Sequence, residues 1–220
     1  MARRAEYLGP ERRRPLVLDA AEQIFGEGGF ADTSMQAIAD RAEVSKAVLY
    51  DCFPGGKQEI YFEMLARLGE RFTESMLAIL ERTNKLPMRD GIKSFLTAFH
   101  DWVDENREGF RILFGDGGSS DPQIASRTAE ARIRFVEKIS ERTKQVMEAG
   151  GVEFTPVHRI HGLAVLTMAE ATARWRLREP EIPRDELISL TTLLLRKGFE
   201  GISPGTAWRE PVDVLRPISE

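Results

Sequence analysis

Residues 33–57 read TSMQAIADRAEVSKAVLYDCFPGGK. Two short helices and a sharp stop can be read in this stretch. Thr33 fits an N-cap, with Gln36 three residues on as its capping-box partner. Met35, Ile38, Ala39 and Ala42 recur at helical spacing and form one apolar face. Glu43 and Val44 make the turn. Ser45 caps the next helix, and Val44 can staple onto Leu49 across that cap. Pro54-Gly55-Gly56 ends this helix after Phe53. Its Val48, Leu49 and Phe53 can pack inward, while Lys46, Ala47, Tyr50 and Asp51 face out. Two short helices joined by a tight turn make a helix-turn-helix. The second is short enough for the major groove. Lys46 and Tyr50, four apart, project together, and Ala47 leaves room for close approach to a base or a thymine methyl. The helix start offers free N–H groups to a phosphate, and Lys57 stands where a second phosphate is within reach.

Working outward, no segment alternates with period two, and apolar spacing of three and four recurs throughout, so the chain is read as all-α. Upstream, Val17, Ala20, Ala21, Ile24 and Phe25 share a face of a helix that begins near Pro15 and ends at Gly28-Gly29. Downstream, longer helices are expected over about 57–82, 88–106, 122–148 and 156–178, with a short apolar one in GFRILF and a last one in PRDELISLTTLLLRKGFEGI. Asp121-Pro122 and Thr155-Pro156 read as caps followed by proline at the first helical position. This divides the chain into a head at 1–56, a larger helical domain at 57–202 and an irregular tail at 203–220, with the fourth helix packing on both sides of the seam.

The 220 residues are 42% hydrophobic, enough to bury a core. A single cysteine, Cys52, excludes an internal disulfide framework and fits a reducing compartment. The N-terminus has no apolar segment of a secretory signal, and apolar runs fall short of a membrane span. A soluble, cytoplasmic protein with no membrane partner is expected. Net charge is −4, which does not advertise nucleic-acid binding. The charge is uneven, however: Arg3, Arg4, Arg12, Arg13 and Arg14 form a basic arm that can follow phosphates.

The segment RRPLVLDAAEQIFGEGGFADTSMQAIADRAEVSKAVLYDCFPGGKQEIYFEML resembles the DNA-binding head of the TetR family of transcriptional regulators. DAAEQIF, GGFADTSMQAIADRAEVS and the LY..F block before a lysine carry the likeness. The resemblance implies phosphate contacts from Thr33, Ser34 and Gln36, and contacts to bases and backbone from Ser45, Lys46, Ala47, Val48 and Tyr50. Tyr50 and Lys57 match a tyrosine and a lysine that touch the phosphate backbone. Cys52 stands where the family often has histidine, Asp51 would repel a phosphate unless it met a cytosine amino group or turned away, and Gly55-Gly56 lengthens the turn. Also implied are a homodimer built by the last two long helices, a pseudo-palindromic double-stranded DNA operator and a small-molecule effector, with repression the commoner mode. Residues fitting the dimer face are Ala164, Met168, Ala171 and Trp175 on one helix and Leu187, Leu190, Thr191, Leu194 and Leu195 on the next. For the effector pocket, the middle helices offer Phe95, Phe99, Trp102, Phe110, Phe114 and Phe135, of which about a third are expected to line a cavity and the rest to be core. Such a lining suits a mainly hydrophobic effector.

Other chemistry fits less well. His158 and His161, three apart, could share a metal with Glu or His100, but no third ligand is assured, so no metal or other cofactor is expected. GDGGSSD at 115–121 lacks the phosphate-loop pattern and reads as a flexible connection. Cys52 has no placed base, and no carboxylate pair stands out among 35 acidic residues. An enzyme is not expected. The alternative from another class is an all-helical carrier or interaction protein that keeps the head only as a packing module.

Overall fold

The computed structural model describes residues 10–83, 86, 88–115, 121–151 and 153–200. Arg3 and Arg4 of the arm, the 116–120 part of the Gly-rich connection and the tail at 203–220 lie outside them. Among the described residues there are nine helices and no strand: α1 (Pro10–Asp32), α2 (Met35–Arg41), α3 (Lys46–Cys52), α4 (Gly56–Thr83), α5 (Met88–Glu105), α6 (Arg107–Phe114), α7 (Pro122–Ala149), α8 (Pro156–Arg178) and α9 (Arg184–Glu200).

Helix α1 starts five residues before Pro15, so that proline lies within it. The helical path breaks at Gly29, whose φ of 75° suits glycine. Between α2 and α3 the chain turns by a Schellman closure. Val44 N–H donates to the Ala39 carbonyl at 3.0 Å and Glu43 N–H to that of Asp40 at 3.2 Å. Glu43 takes the left-handed conformation there, with φ 54°. The cap of α2 is one residue later than expected. Ser34, not Thr33, accepts the Ala37 N–H, at 3.1 Å. Gln36 donates to Asp40 instead of closing a capping box. Ser45 caps α3 as its sequence position suggests, accepting from Val48 N–H at 3.3 Å.

Helix α4 belongs to both halves of the molecule. Near its start, Tyr61 meets Phe25 and Phe30 edge-on, with ring centroids 5.0 and 5.2 Å away. Three turns later, Phe72 packs on Trp102 at 4.7 Å, Phe114 at 5.1 Å and Phe135 at 4.4 Å. One apolar core therefore runs from head to body without a gap. Ion pairs line the α1–α4 seam: Arg14 with Glu63, Arg67 with Asp19 at 2.8 Å and Arg71 with Glu22 at 2.7 Å. These are partly exposed and contribute little individually. Arg14 does more than pair, because its guanidinium also donates to the Cys52 carbonyl and lies 4.3 Å over the Phe53 ring. Part of the basic arm thus serves packing.

The Lys57 ammonium is enclosed. It donates to the carbonyls of Phe30 at 2.8 Å, Thr33 at 2.9 Å and Ala31 at 3.4 Å, and stands 4.3 Å from the Phe30 ring centroid. An ammonium has three N–H donors, and here three carbonyls at the end of α1 face them. A cation in that position also complements the negative end of the helix dipole.

In the body, α5 and α9 pack together, and α8 closes over α5. His100 of α5 is buried, with Nε2 3.3 Å from the Thr172 hydroxyl. Burial first, then the nearby Arg176 and Arg184 guanidiniums, push this imidazole down to about 4.

Two outcomes are expected. Lys57→Met should lower stability by about 1–3 kcal/mol, because three carbonyls lose a charged donor; unchanged thermal unfolding would show the ammonium to be dispensable. Second, the unfolded chain takes up a proton at His100 near its ordinary value, whereas the native chain resists until about 4. Stability is therefore full at neutral pH and falls as pH drops through the range between them, by up to about 3 kcal/mol for this one group. Urea unfolding of His100→Gln should lose that part of the acid slope.

Candidate nucleic-acid interface and effector cavity

Helix α3 is seven residues long, and its inner side is firmly anchored: Leu49, Cys52 and Phe53 are all within 2% of full burial. Lys46, Ala47, Tyr50 and Asp51 are exposed, and Val48 is half-buried. Tyr50 keeps 48% of its surface open to water although it is large and aromatic. Lys46 and Tyr50 are one turn apart, so they share a side of the helix. Ser45 is exposed, but its hydroxyl oxygen already accepts the Val48 N–H, which leaves its own O–H to offer.

From the start of α2, Ser34 and Gln36 are exposed. Thr33 differs from the expectation. It is 5% exposed, and its hydroxyl donates 2.7 Å to the Gly29 carbonyl, so its side chain steadies the α1 break. Lys57 differs too: its donors already face the three carbonyls at the end of α1. The short list that remains outward is Ser34, Gln36, Ser45, Lys46, Ala47, Tyr50 and Asp51. Cys52 is buried, which accounts for an apolar residue at that position.

A cavity of about 350 Å³ lies in the body at the far end of α4, between α4, α5, α7 and α8. Met76, Leu80, Ile92, Phe95, Phe135, Ile139, Met147, Val165 and Leu166 make most of its wall. Of the six aromatic residues expected there, Phe95 and Phe135 line it. Phe99, Trp102, Phe110 and Phe114 do not. They stack on one another and on Phe72 as solid core, with Phe110 and Phe114 centroids 5.2 Å apart. The aliphatic wall residues went unnoticed in the sequence because methionine, leucine and isoleucine look the same around a void as around a filled core. His158 and His161 also reach the cavity. Among the described residues no group of three or more His, Cys, Asp or Glu could hold a metal ion.

On α8 and α9, two faces separate. Leu187 and Thr191 are buried within the chain, and Thr191 donates to the Leu187 carbonyl. They do not belong to an outer face. Ala164 and Met168 are half-buried against the core, and Ala171 is exposed. The outer apolar surface is made by Ile160, Leu163 and Trp175 on α8 and by Leu190, Leu193 and Leu194 on α9. Leu194 is 65% exposed. Six large apolar side chains on two adjacent helices exceed the scattered exposure normal for a monomer's surface.

No helix among the described residues is long and apolar enough to cross a membrane. Comparison with known proteins bears on the head most directly. Residues 17–64 match the family described as bacterial regulatory proteins, tetR family. Over 192 residues the chain is 27% identical to the HTH-type transcriptional activator FasR of Mycolicibacterium smegmatis, covering 86% of this chain and 84% of that one. A TetR-like transcriptional regulator from Rhodococcus sp. RHA1 superposes with a TM-score of 0.62 at 26% identity, over 88% of this chain and 99% of the other. FadR of Bacillus subtilis, solved with stearoyl-CoA, has the same fold with a TM-score of 0.64 at 14% identity, over 84% and 98% of the two chains. The helix-turn-helix head with its exposed α3 side, the all-helical body and these likenesses agree: the chain is similar to regulators of the tetR family, through its head at residues 17–64 and through its overall fold.

Proposed function

We propose that the protein is a ligand-responsive transcriptional repressor that binds a pseudo-palindromic operator as a homodimer and is released by a small, mainly hydrophobic effector. The exposed Lys46–Ala47–Tyr50 side of α3, on a helix whose other side is locked into the core, is the observation that carries this reading. Lys46 reads base edges, Tyr50 fixes register on the phosphate backbone, and the exposed Ser34 and Gln36 add backbone contacts. Two copies joined through the outer faces of α8 and α9 present two recognition helices to successive major grooves, about 34–36 Å apart or a related spacing.

The apolar wall of the cavity supports a hydrophobic effector. A ligand there shifts the operator equilibrium only by its differential affinity for the two forms of the dimer. In the released form, α4 swings the heads to a spacing the operator no longer fits. A second reading, activation, draws on the 27% identity to the activator FasR. Transcription in vitro from the chain's own operator separates the two signs.

Gel-shift titration against salt tests DNA binding as such: log affinity should fall linearly with log salt for the operator. Lack of binding to the DNA flanking its gene, at low salt and without ligand, would favour a carrier instead. Tyr50→Phe should weaken binding to all sequences alike, by about 1 kcal/mol. Lys46→Ala should relax preference at particular base pairs, by about 1–3 kcal/mol where it reads guanine. Unchanged specificity and affinity in Lys46→Ala would remove its base-reading role. For the dimer, Leu194→Glu should move sedimentation toward the monomer and weaken operator binding, since a charge placed on a buried apolar interface is costly; an unaltered dimer would place the contact on another surface.

A further inference from the structure

The cavity's polar chemistry is narrower than its list of polar residues suggests. Thr83 and Thr143 both line it, but their hydroxyls are committed to their own helices. Thr83 donates to the Ile79 carbonyl at 3.1 Å and Thr143 to that of Ile139 at 2.8 Å. The faces of α4, α5 and α7 that close the cavity otherwise carry aliphatic, aromatic and glycine positions and no ionisable side chain among the described residues. The ionisable groups at the wall are His158 and His161, both from the first turns of α8.

The state of His158 is fixed by its neighbour. The Thr155 backbone N–H donates to His158 Nδ1 at 3.1 Å. That nitrogen must present a lone pair, so in the neutral ring the proton resides on Nε2. His158 therefore brings an N–H donor to the wall. His161 stands one turn further along, on the same side of α8. Burial first, then the charge of His158, push His161 below its ordinary value, so His161 rests without charge at neutral pH. Among the described residues, Arg159 lines a small hollow that adjoins the cavity. Among the described residues, the charged or chargeable side chains at this end, His158, His161 and Arg159, are all bases.

Resting on the effector reading of this cavity, we propose that its ligand is an apolar molecule with a carboxylate head, received by His158 and His161, and that binding takes up a proton. The hydrocarbon part fills the space between Met76, Ile92, Phe95 and Phe135. The carboxylate accepts from His158 Nε2–H and supplies the negative charge that lets His161 protonate. No bond to carbon forms or breaks; one proton moves from solvent to an imidazole. A basic head would meet no carboxylate among the described wall residues, and an uncharged head would leave the imidazole pair as it is.

Calorimetric titration of the full chain with decanoate and with decyl alcohol tests this. Decanoate should bind about tenfold more tightly at about pH 6 than at about pH 8, because its charge favours imidazolium. Titration in two buffers of different ionisation enthalpy should register uptake of a proton. Decyl alcohol should bind with little pH dependence. His161→Gln, which leaves the His158–Thr155 contact intact, should flatten the decanoate profile toward that of the alcohol. Equal pH dependence for the two probes, or proton uptake that survives in His161→Gln, overturns the carboxylate assignment while leaving the cavity as the effector site. Binding of the alcohol without decanoate does the same. If neither probe binds, the effector reading of the cavity falls, and this inference with it.

Discussion

The structure depends on α4 being one uninterrupted helix with each end built into a different core. At 28 residues it is about 42 Å long. Its first turns complete the head: Tyr61 closes on Phe25 and Phe30, and Lys57 gathers the carbonyls where α1 ends. Its middle carries Phe72 into the aromatic cluster of the body, and its last two turns form one wall of the cavity. Well-packed interiors transmit displacement instead of absorbing it. A shift at the cavity wall of α4 would be carried toward the head along about 30 Å of helix, which is the span from Met76 back to Gly56.

The body divides its aromatic residues between two tasks. The stack of Phe72, Phe99, Trp102, Phe110 and Phe114 is closely packed and anchors α4, α5 and α6 to one another. Beyond it, toward the ends of α4 and α7, the side chains become aliphatic and the space opens. Phe135 belongs to both regions, packing 4.4 Å from Phe72 on one side and lining the cavity on the other. Phe95 lines the cavity too and packs 6.2 Å from Phe99, so occupancy of the cavity would be felt by the core through both rings.

Much of this was readable in the chain. The helix-turn-helix announced itself through Ser45, the Met35–Ala42 spacing and the Pro-Gly-Gly stop, because caps and breakers act locally and do not wait for tertiary context. Helix extents in the body were legible for the same reason, from Asp121-Pro122 and Thr155-Pro156. What failed was the choice among equivalent neighbours. Thr33 and Ser34 are both good caps, and only the backbone path after Gly29 decides that Thr33 turns inward. The surroundings of Lys57 were not legible either, because sequence shows a cation but not the three carbonyls around it. Leu187 and Leu190, three apart on a helix with a broad apolar face, go to opposite fates, since one is buried within the chain and no described residue covers the other. The cavity was the least legible feature, because a void is a property of how helices meet.

The contact between α1 and α6 limits how this architecture can be recombined. A Cβ on Gly26 would lie 2.5 Å from the Cβ of Glu108, and one on Gly109 would lie 2.7 Å from Leu68 Cδ1. The two helices approach so nearly backbone to backbone that no side chain fits at Gly26. A head transplanted from another regulator onto this body would need a glycine at the position of Gly26, whatever operator it recognised. Chimeras that ignore this would dock the new head displaced or tilted even though each half was intact.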